Sequence, residues 1–279
     1  MNIYFLFTKI IITFFILIII IITVFRNENI IISIIIPTYN REKFIINSIK
    51  SVLNQTFNNF EIIIIDDCST DQTQDVIKKI KDKRIKYIKL NKQKGASYAR
   101  NIGISLAKGK FISFQDSDDI YHFDKLEKQM KNLYKSKSDF DFCKICVHVN
   151  KTFTIIYPSI ARVKEIYKGN LYNALVSKGN FISTQSILVK KAFIKKYLFD
   201  TTLPRLQDFD LVLRIIPNLK VSFTNETLVD IYRQNDSISL YKENLKKSIF
   251  LLLNKNYSFN LFQKNKFMNY LKDIKNIAQ

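Results

Sequence analysis

Cysteine, histidine, glycine and proline are all scarce in this 279-residue chain, and tryptophan is absent. Three cysteines cannot build a disulfide scaffold. Two histidines are too few for a multi-histidine metal centre, so a bound metal is expected on oxygen ligands. Five glycines and four prolines exclude collagen-like and linker-dominated chains. Negative charge is also short: 24 Asp+Glu against 44 Lys+Arg leave a net charge of +20. Such an excess suits nucleic acid, but the basic residues are dispersed and no recognition motif accompanies them, so no nucleic-acid partner is expected. Apolar residues are plentiful, at 47% hydrophobic and 13% aromatic, which excludes a disordered chain.

The first long apolar run is N-terminal. From Ile10 to Phe25 only Thr13 and Thr23 are polar. As a helix that stretch reaches about 24 Å, short of the ~30 Å hydrocarbon core. Starting at Ile3 supplies the length and takes in Lys9, which can snorkel to the interface. A cleaved signal peptide is the rival reading, but no small-x-small pattern follows Val24-Phe25-Arg26. A single-pass membrane anchor over residues 3–25 is therefore expected. Lys9 and Arg26 balance one another, so its orientation is not legible.

Beyond the anchor, strand and helix patterns alternate. Ile31 to Ile36 is an apolar run closed by Pro37, the signature of a strand buried on both faces. Glu61 to Ile65, Ile85 to Leu90 and Lys110 to Phe114 are the next three strands. Helical patterns carry Phe44, Ile45, Ile49, Val52 and Leu53, then Val76, Ile77 and Ile80 with Ser69 or Thr70 as cap, then Ala96 to Leu106. This order predicts an α/β domain over residues 30–240, a Rossmann-like mixed, mainly parallel sheet flanked by helices. After Lys125 the signal weakens; Phe140 to Val149, Thr152 to Tyr157 and Gln185 to Val189 read as strands, and Leu206 to Ile216 as a helix stopped by Pro217. Residues 241–279 read as a basic amphipathic helical tail, able to lie on an anionic membrane or to cap the domain.

Ligands of open parallel sheets sit beyond the carboxyl ends of the strands. Asp66 and Asp67 end the second strand there, and Asp116, Asp118 and Asp119 end the fourth. Clustered carboxylates without His or Cys suit a hard cation, Mg²⁺ or Mn²⁺, of the kind that bridges to phosphate oxygens. A nucleoside-diphosphate substrate follows. Cys143-Lys-Ile-Cys146 lacks the second pair that a zinc site would need, and its thiols are expected to be buried.

The segments Ser33-Ile-Ile-Ile-Pro-Thr-Tyr-Asn40, Asp66-Asp-Cys-Ser-Thr-Asp71, Gly95-Ala-Ser-Tyr-Ala-Arg-Asn-Ile-Gly103 and Asp116-Ser-Asp-Asp119 together resemble a family 2 glycosyltransferase in order and spacing. The resemblance runs from about Ile31 to Ser239. It implies a GT-A fold, a nucleotide-sugar donor, a divalent cation and inversion at the anomeric carbon, with a glycan, lipid or protein as acceptor. Pro37, Thr38 and Tyr39 match the floor of the base pocket. Asp67 matches the residue that accepts the uracil N3–H, which points to a UDP-sugar, and Arg100 a basic residue near the nucleotide. Asp116 and Asp118 match the D-x-D motif, the first near the ribose and the second ligating the metal. Gln207-Asp-Phe-Asp-Leu-Val-Leu-Arg214 resembles the family's E-D-x-D-L-x-x-R segment and makes Asp208 the general base, with Gln207 in place of the usual Glu. Asp210 and Arg214 read as a helix-surface ion pair. Cys68 stands where glycine is usual, which suggests a changed turn, and Asn235 where His is common. Gln207 and Asn235 sustain one alternative, an inactive relative that binds nucleotide-sugar or glycan without transfer.

Overall fold

In the computed structural model, described residues are 30–150, 152–169, 171–232, 242–257 and 259–277. The expected anchor at residues 3–25 lies outside them, as do Asn235 and its neighbours. Among the described residues no helix is long and apolar enough to cross a membrane.

Strands β1 (Ile32–Thr38) and β2 (Phe60–Asp66) are buried at every position, as unbroken isoleucine runs require when both faces of a sheet are covered. β1 pairs in parallel with β2 on one side and with β4 (Phe111–Phe114) on the other, and β2 pairs in parallel with β3 (Ile85–Lys89). The crossovers between them carry α1 (Ile45–Leu53), α2 (Thr73–Lys78) and α3 (Ala96–Leu106). Neither Ser69 nor Thr70 caps α2. Gln72 is its N-cap, and Asp71 Oδ1 accepts the Thr73 N–H at 3.0 Å, while Ser69 Oγ is occupied by the Asn40 N–H.

The chain continues through β5 (Ile120–Tyr121), α4 (Lys125–Ser136), β6 (Phe140–His148), β7 (Thr154–Tyr157), α5 (Ile160–Tyr167) and α6 (Leu171–Lys178). A 3₁₀ turn at Thr184–Ser186 takes up Gln185, so β8 starts later than the sequence suggests, at Ile187–Lys190. Then come α7 (Lys191–Ile194), α8 (Gln207–Ile215), β9 (Val221–Tyr232), α9 (Lys242–Leu253) and α10 (Leu261–Ile277). The strand order is β3-β2-β1-β4-β8-β6-β9-β5, with β7 on β6. β8 joins β4 and β6 antiparallel, whereas β6 and β9 are parallel. The result is the expected mixed α/β sheet.

Successive residues of a strand point to opposite faces, and the core divides accordingly. Ile35, Ile63 and Ile65 enter one apolar cluster; Ile34, Ile36, Ile62 and Ile64 enter the other. Ile249, Leu252, Phe267 and Leu271 of α9 and α10 close the first cluster. Gly103 lets α3 settle onto β1, since a Cβ there would meet Ile35 Cγ2 at 2.4 Å. Under the second half of the sheet lies a buried polar chain. Lys125 Nζ donates to Gln129 Oε1 at 2.6 Å, and Gln129 Nε2 donates to Asp141 Oδ1 at 2.9 Å. Burial pulls the Lys125 ammonium down to about 8.

Candidate active site

The carboxyl ends of β1, β2 and β4 open into a cleft of about 890 Å³. All eight residues singled out from the sequence line it: Pro37, Thr38, Tyr39, Asp67, Arg100, Asp116, Asp118 and Asp208. They come from five separate segments, and the sheet topology brings them together.

The Asp66-Asp67 pair divides its work. Asp66 turns inward, its Oδ1 accepting the Ser69 N–H at 2.7 Å and its Oδ2 the Tyr87 hydroxyl at 2.6 Å. Burial and this contact push the Tyr87 phenol upward. Asp67 faces the cleft and accepts the Lys94 and Gly95 N–H groups, each at 2.7 Å. Those two bonds fix the carboxylate and the start of α3 against each other, and each oxygen keeps a second lone-pair direction for a ligand. In the turn between the Asp pair and α2, Cys68 itself adopts the left-handed φ of +70° that favours glycine.

Arg100 is 7% exposed rather than a surface helix charge. Its Nη2 donates to Asp116 Oδ1 at 2.6 Å, and its guanidinium lies 5.4 Å from the Phe199 ring centroid. Gln185, for which the sequence offers no signal, donates to Asp116 Oδ2 and to Asp119 Oδ2, both at 2.6 Å. Asp119 also accepts the Tyr232 N–H at 3.1 Å. Burial, reinforced by Asp116 and Asp118, holds the Asp119 carboxyl well above the usual range. Asp118 pairs with Arg41 at 3.4 Å. Arg41 is 77 residues away in sequence, and no local pattern announces it.

Asp208 lies in the first turn of α8, after Leu206 at φ +60°. Such a backbone is strained for leucine and is found where surrounding structure imposes it, often at functional sites. Asp208 Oδ1 accepts the Phe209 N–H at 2.8 Å. Burial pushes its carboxyl up to about 6, Asp116 adding to the shift while the Phe209 bond and Arg100 oppose it. Gln207 Nε2 donates to Pro204 O, so the residue that replaces the usual Glu serves the turn. The Asp210–Arg214 pair forms at 2.6 Å, but Asp210 is fully buried and is not a surface partner. Lys255 Nζ and Tyr257 OH bond its other oxygen at 2.6 and 2.9 Å, tying α8 to the segment after α9.

Two polar atoms of cleft-lining residues are buried without a hydrogen-bond partner: Thr38 Oγ1 and Arg100 Nε. Such orphans are costly in a folded protein and mark places where a polar ligand is accommodated. Asp118 supplies a hard oxygen donor at the mouth of the same cleft. That suits a cation of the Mg²⁺ class, which takes one or two carboxylates and draws its other ligands from substrate phosphates and water.

Comparison with known proteins agrees with this geometry. Residues 33–198 match the profile of "Glycosyl transferase family 2". The chain is 33% identical over 223 residues to WfaP of Escherichia coli, a UDP-Glc:alpha-D-GlcNAc-diphosphoundecaprenol beta-1,3-glucosyltransferase, covering 78% of this chain and 84% of the relative. Its fold resembles that of Staphylococcus aureus TarS 1-349 in complex with UDP-GlcNAc, with TM-score 0.67 and 21% identity over 86% of this chain and 71% of that one. It also resembles the mannosyltransferase PcManGT of Pyrobaculum calidifontis in complex with GDP-Man and Mn²⁺, with TM-score 0.61 and 14% identity over 88% of this chain and 68% of that one. Motif order, strand topology and kinship at this level lead to one assignment: the protein is a nucleotide-sugar-dependent glycosyltransferase and belongs to glycosyl transferase family 2.

Proposed function

We propose that the enzyme transfers a sugar from a UDP-sugar, with inversion, to a lipid-linked glycan diphosphate at a membrane. The observation that carries the proposal is the convergence of Asp67, Arg100, Asp116, Asp118 and Asp208 on one cleft that also holds the unpartnered Thr38 and Arg100 atoms. Asp67 beside Pro37, Thr38 and Tyr39 presents an acceptor to the imide edge of uracil. Thr38 Oγ1 and Arg100 Nε offer polar contacts to ribose and phosphate. Asp118 would hold a Mg²⁺ or Mn²⁺ ion, which would supply positive charge against the departing diphosphate.

Asp208 takes the proton of the acceptor hydroxyl as that oxygen bonds to the anomeric carbon. The bond from that carbon to the diphosphate oxygen breaks in the same displacement, and the nucleoside diphosphate leaves with the electron pair. A base with a value near 6 is ionised at neutral pH yet basic enough to contribute. A retained Asp208 argues for turnover over mere binding, despite Gln207. The acceptor class follows that of WfaP, and the apolar segment at residues 3–25 suits an enzyme held beside such a lipid.

A fold shared with proteins that bind UDP-GlcNAc and GDP-Man does not decide the base. Calorimetry with UDP and GDP in Mn²⁺ does: UDP should bind more tightly, and a preference for GDP refutes the assignment. Incubation of a panel of UDP-sugars with a polyprenyl-diphosphate-linked sugar should give one product of inverted anomeric configuration. Retention, or no transfer from any UDP-sugar, counts against the mechanism.

A further inference from the structure

Both histidines of the chain meet one carboxylate. His148 Nε2 lies 2.8 Å from Asp230 Oδ1 and His122 Nε2 lies 2.9 Å from Asp230 Oδ2. Cys146 sits beside them, and ligand atoms of Cys146, His148 and Asp230 all lie within 4.8 Å of one another. None of the four residues belongs to the cleft lining. We propose that Cys146 Sγ, His148 Nε2 and Asp230 form a second metal site, for a zinc-class cation.

Strand geometry selects these residues. Cys146 and His148 are two apart on β6 and share a face, whereas Cys143, three away from Cys146, falls on the other. Cys143 is buried in the core, with Sγ 3.7 Å from Ser186 O. The C-x-x-C spacing is thus split, and only Cys146 of the pair reaches a partly open surface. Asp230 is delivered by irregular pairing. Cys143 faces Thr224 and Cys146 faces Asp230, so three steps along β6 match six along β9. The slips fall on either side of Lys144. With regular pairing Thr227 would oppose Cys146, and the carboxylate would be absent. Bulges of this kind re-aim side chains and are kept where they serve a site.

The surroundings are those of an oriented ligand set. The His148 ring stacks on Tyr232 with centroids 4.6 Å apart and planes 7° from parallel. His122 is anchored through its backbone, its N–H donating to Leu228 O at 3.0 Å and its carbonyl accepting Gln55 Nε2 at 2.8 Å. With Asp230 Oδ1 on the metal, His122 bonds Oδ2 and steers the carboxylate, as outer-shell partners of metal ligands do. Thiolate, imidazole and carboxylate together suit Zn²⁺ or Co²⁺ and not Mg²⁺, so this site differs in chemistry from the one at Asp118. It ties β6 to β9 next to Tyr232, whose N–H holds Asp119.

The full chain, purified in detergent and kept in excess Mg²⁺, is titrated with Co²⁺ and then with Zn²⁺. One equivalent of Co²⁺ should give a thiolate-to-metal charge-transfer band that Zn²⁺ abolishes. His122→Gln should weaken Zn²⁺ binding by roughly 10–100-fold, and Cys146→Ser or His148→Gln by more, with the Cys146 variant losing the band. Alkylation of the unmodified protein, mapped by peptide mass spectrometry, avoids dependence on how the variants fold. Zn²⁺ should protect Cys146 and leave the rate at Cys68 unchanged. A Co²⁺ complex without the thiolate band, or equal alkylation of Cys146 with and without Zn²⁺, overturns the site and leaves a hydrogen-bonded surface cluster.

Discussion

Asp208→Asn keeps the shape of the side chain and its bond from the Phe209 N–H but removes the capacity to take a proton. Two opposite changes follow. Transfer should fall by about 10²–10⁴-fold, the usual worth of a positioned base, while nucleotide affinity stays the same because the base acts only in the transition state. Stability should rise. The Asp208 carboxyl stands at about 6 in the native state against an ordinary 3.8, a difference equivalent to a ceiling of about 3 kcal/mol, lowered by the solvent that still reaches the group. Since the native value is the higher one, the folded state keeps a proton that the unfolded chain has lost between about pH 4 and 6. Wild-type stability therefore declines as pH rises through that window, and the full cost is present at pH 7. Asn carries no such cost. Thermal unfolding at pH 7 should show the variant with the higher Tm, and the gain should vanish below about pH 4. In the wild type, kcat/KM should rise through about pH 6 and level off about one unit higher. An Asn variant with near-normal turnover, or with a lower Tm at pH 7, refutes the reasoning.

Asp118→Asn should remove activation by Mn²⁺ or Mg²⁺; turnover unaffected by EDTA in the wild type would show that no cation is needed. Cys68→Gly should stabilise the fold by about 1 kcal/mol in denaturant unfolding, because a side chain at φ +70° carries a left-handed penalty that glycine escapes; destabilisation would mean that the thiol packs better than its backbone suggests. Lys125→Met should flatten one part of the pH–stability curve. The lysine stands at about 8 when folded against 10.5, so the unfolded chain binds more protons between those values and wild-type stability rises across them. In the Met variant that rise should be absent when unfolding midpoints at pH 8 and pH 10 are compared.

The central strands β1 and β2 were legible because they are covered on both faces, and full burial writes itself as runs of isoleucine. The helix at Ala96–Leu106 was readable to its ends, since Gly95 adopts φ +89° immediately before it and Ala107 turns extended after it. β9 was not. Asn225 and Glu226 break its apolar pattern because they sit, exposed, where the pairing with β6 slips. β5 has two residues and no period to detect. At the site, the carboxylates were readable from their place at strand ends. Their partners were not, because Arg41, Gln185 and the Tyr232 N–H reach Asp118, Asp116 and Asp119 only through tertiary packing. The i,i+4 spacing of Asp210 and Arg214 gave the right pair and the wrong environment, since burial of Asp210 depends on Lys255 and Tyr257, more than 40 residues on.

The bare backbone of Gly103 works as a depth gauge for the catalytic cleft. It lies on the same helix as Arg100, close to one turn further on, and a helix transmits displacement along its length as a stiff rod. The atom a methyl group would strike is Cγ2 of Ile35, attached directly to a β-branched carbon whose rotamer is restricted and whose surroundings are fully buried. Ile35 therefore cannot swing aside, and the rod would have to lift. The guanidinium that meets Asp116 at 2.6 Å would move with it. How far apart helix and strand sit on the hidden side of the sheet thus sets, through a few missing atoms, the alignment of charge on the open side.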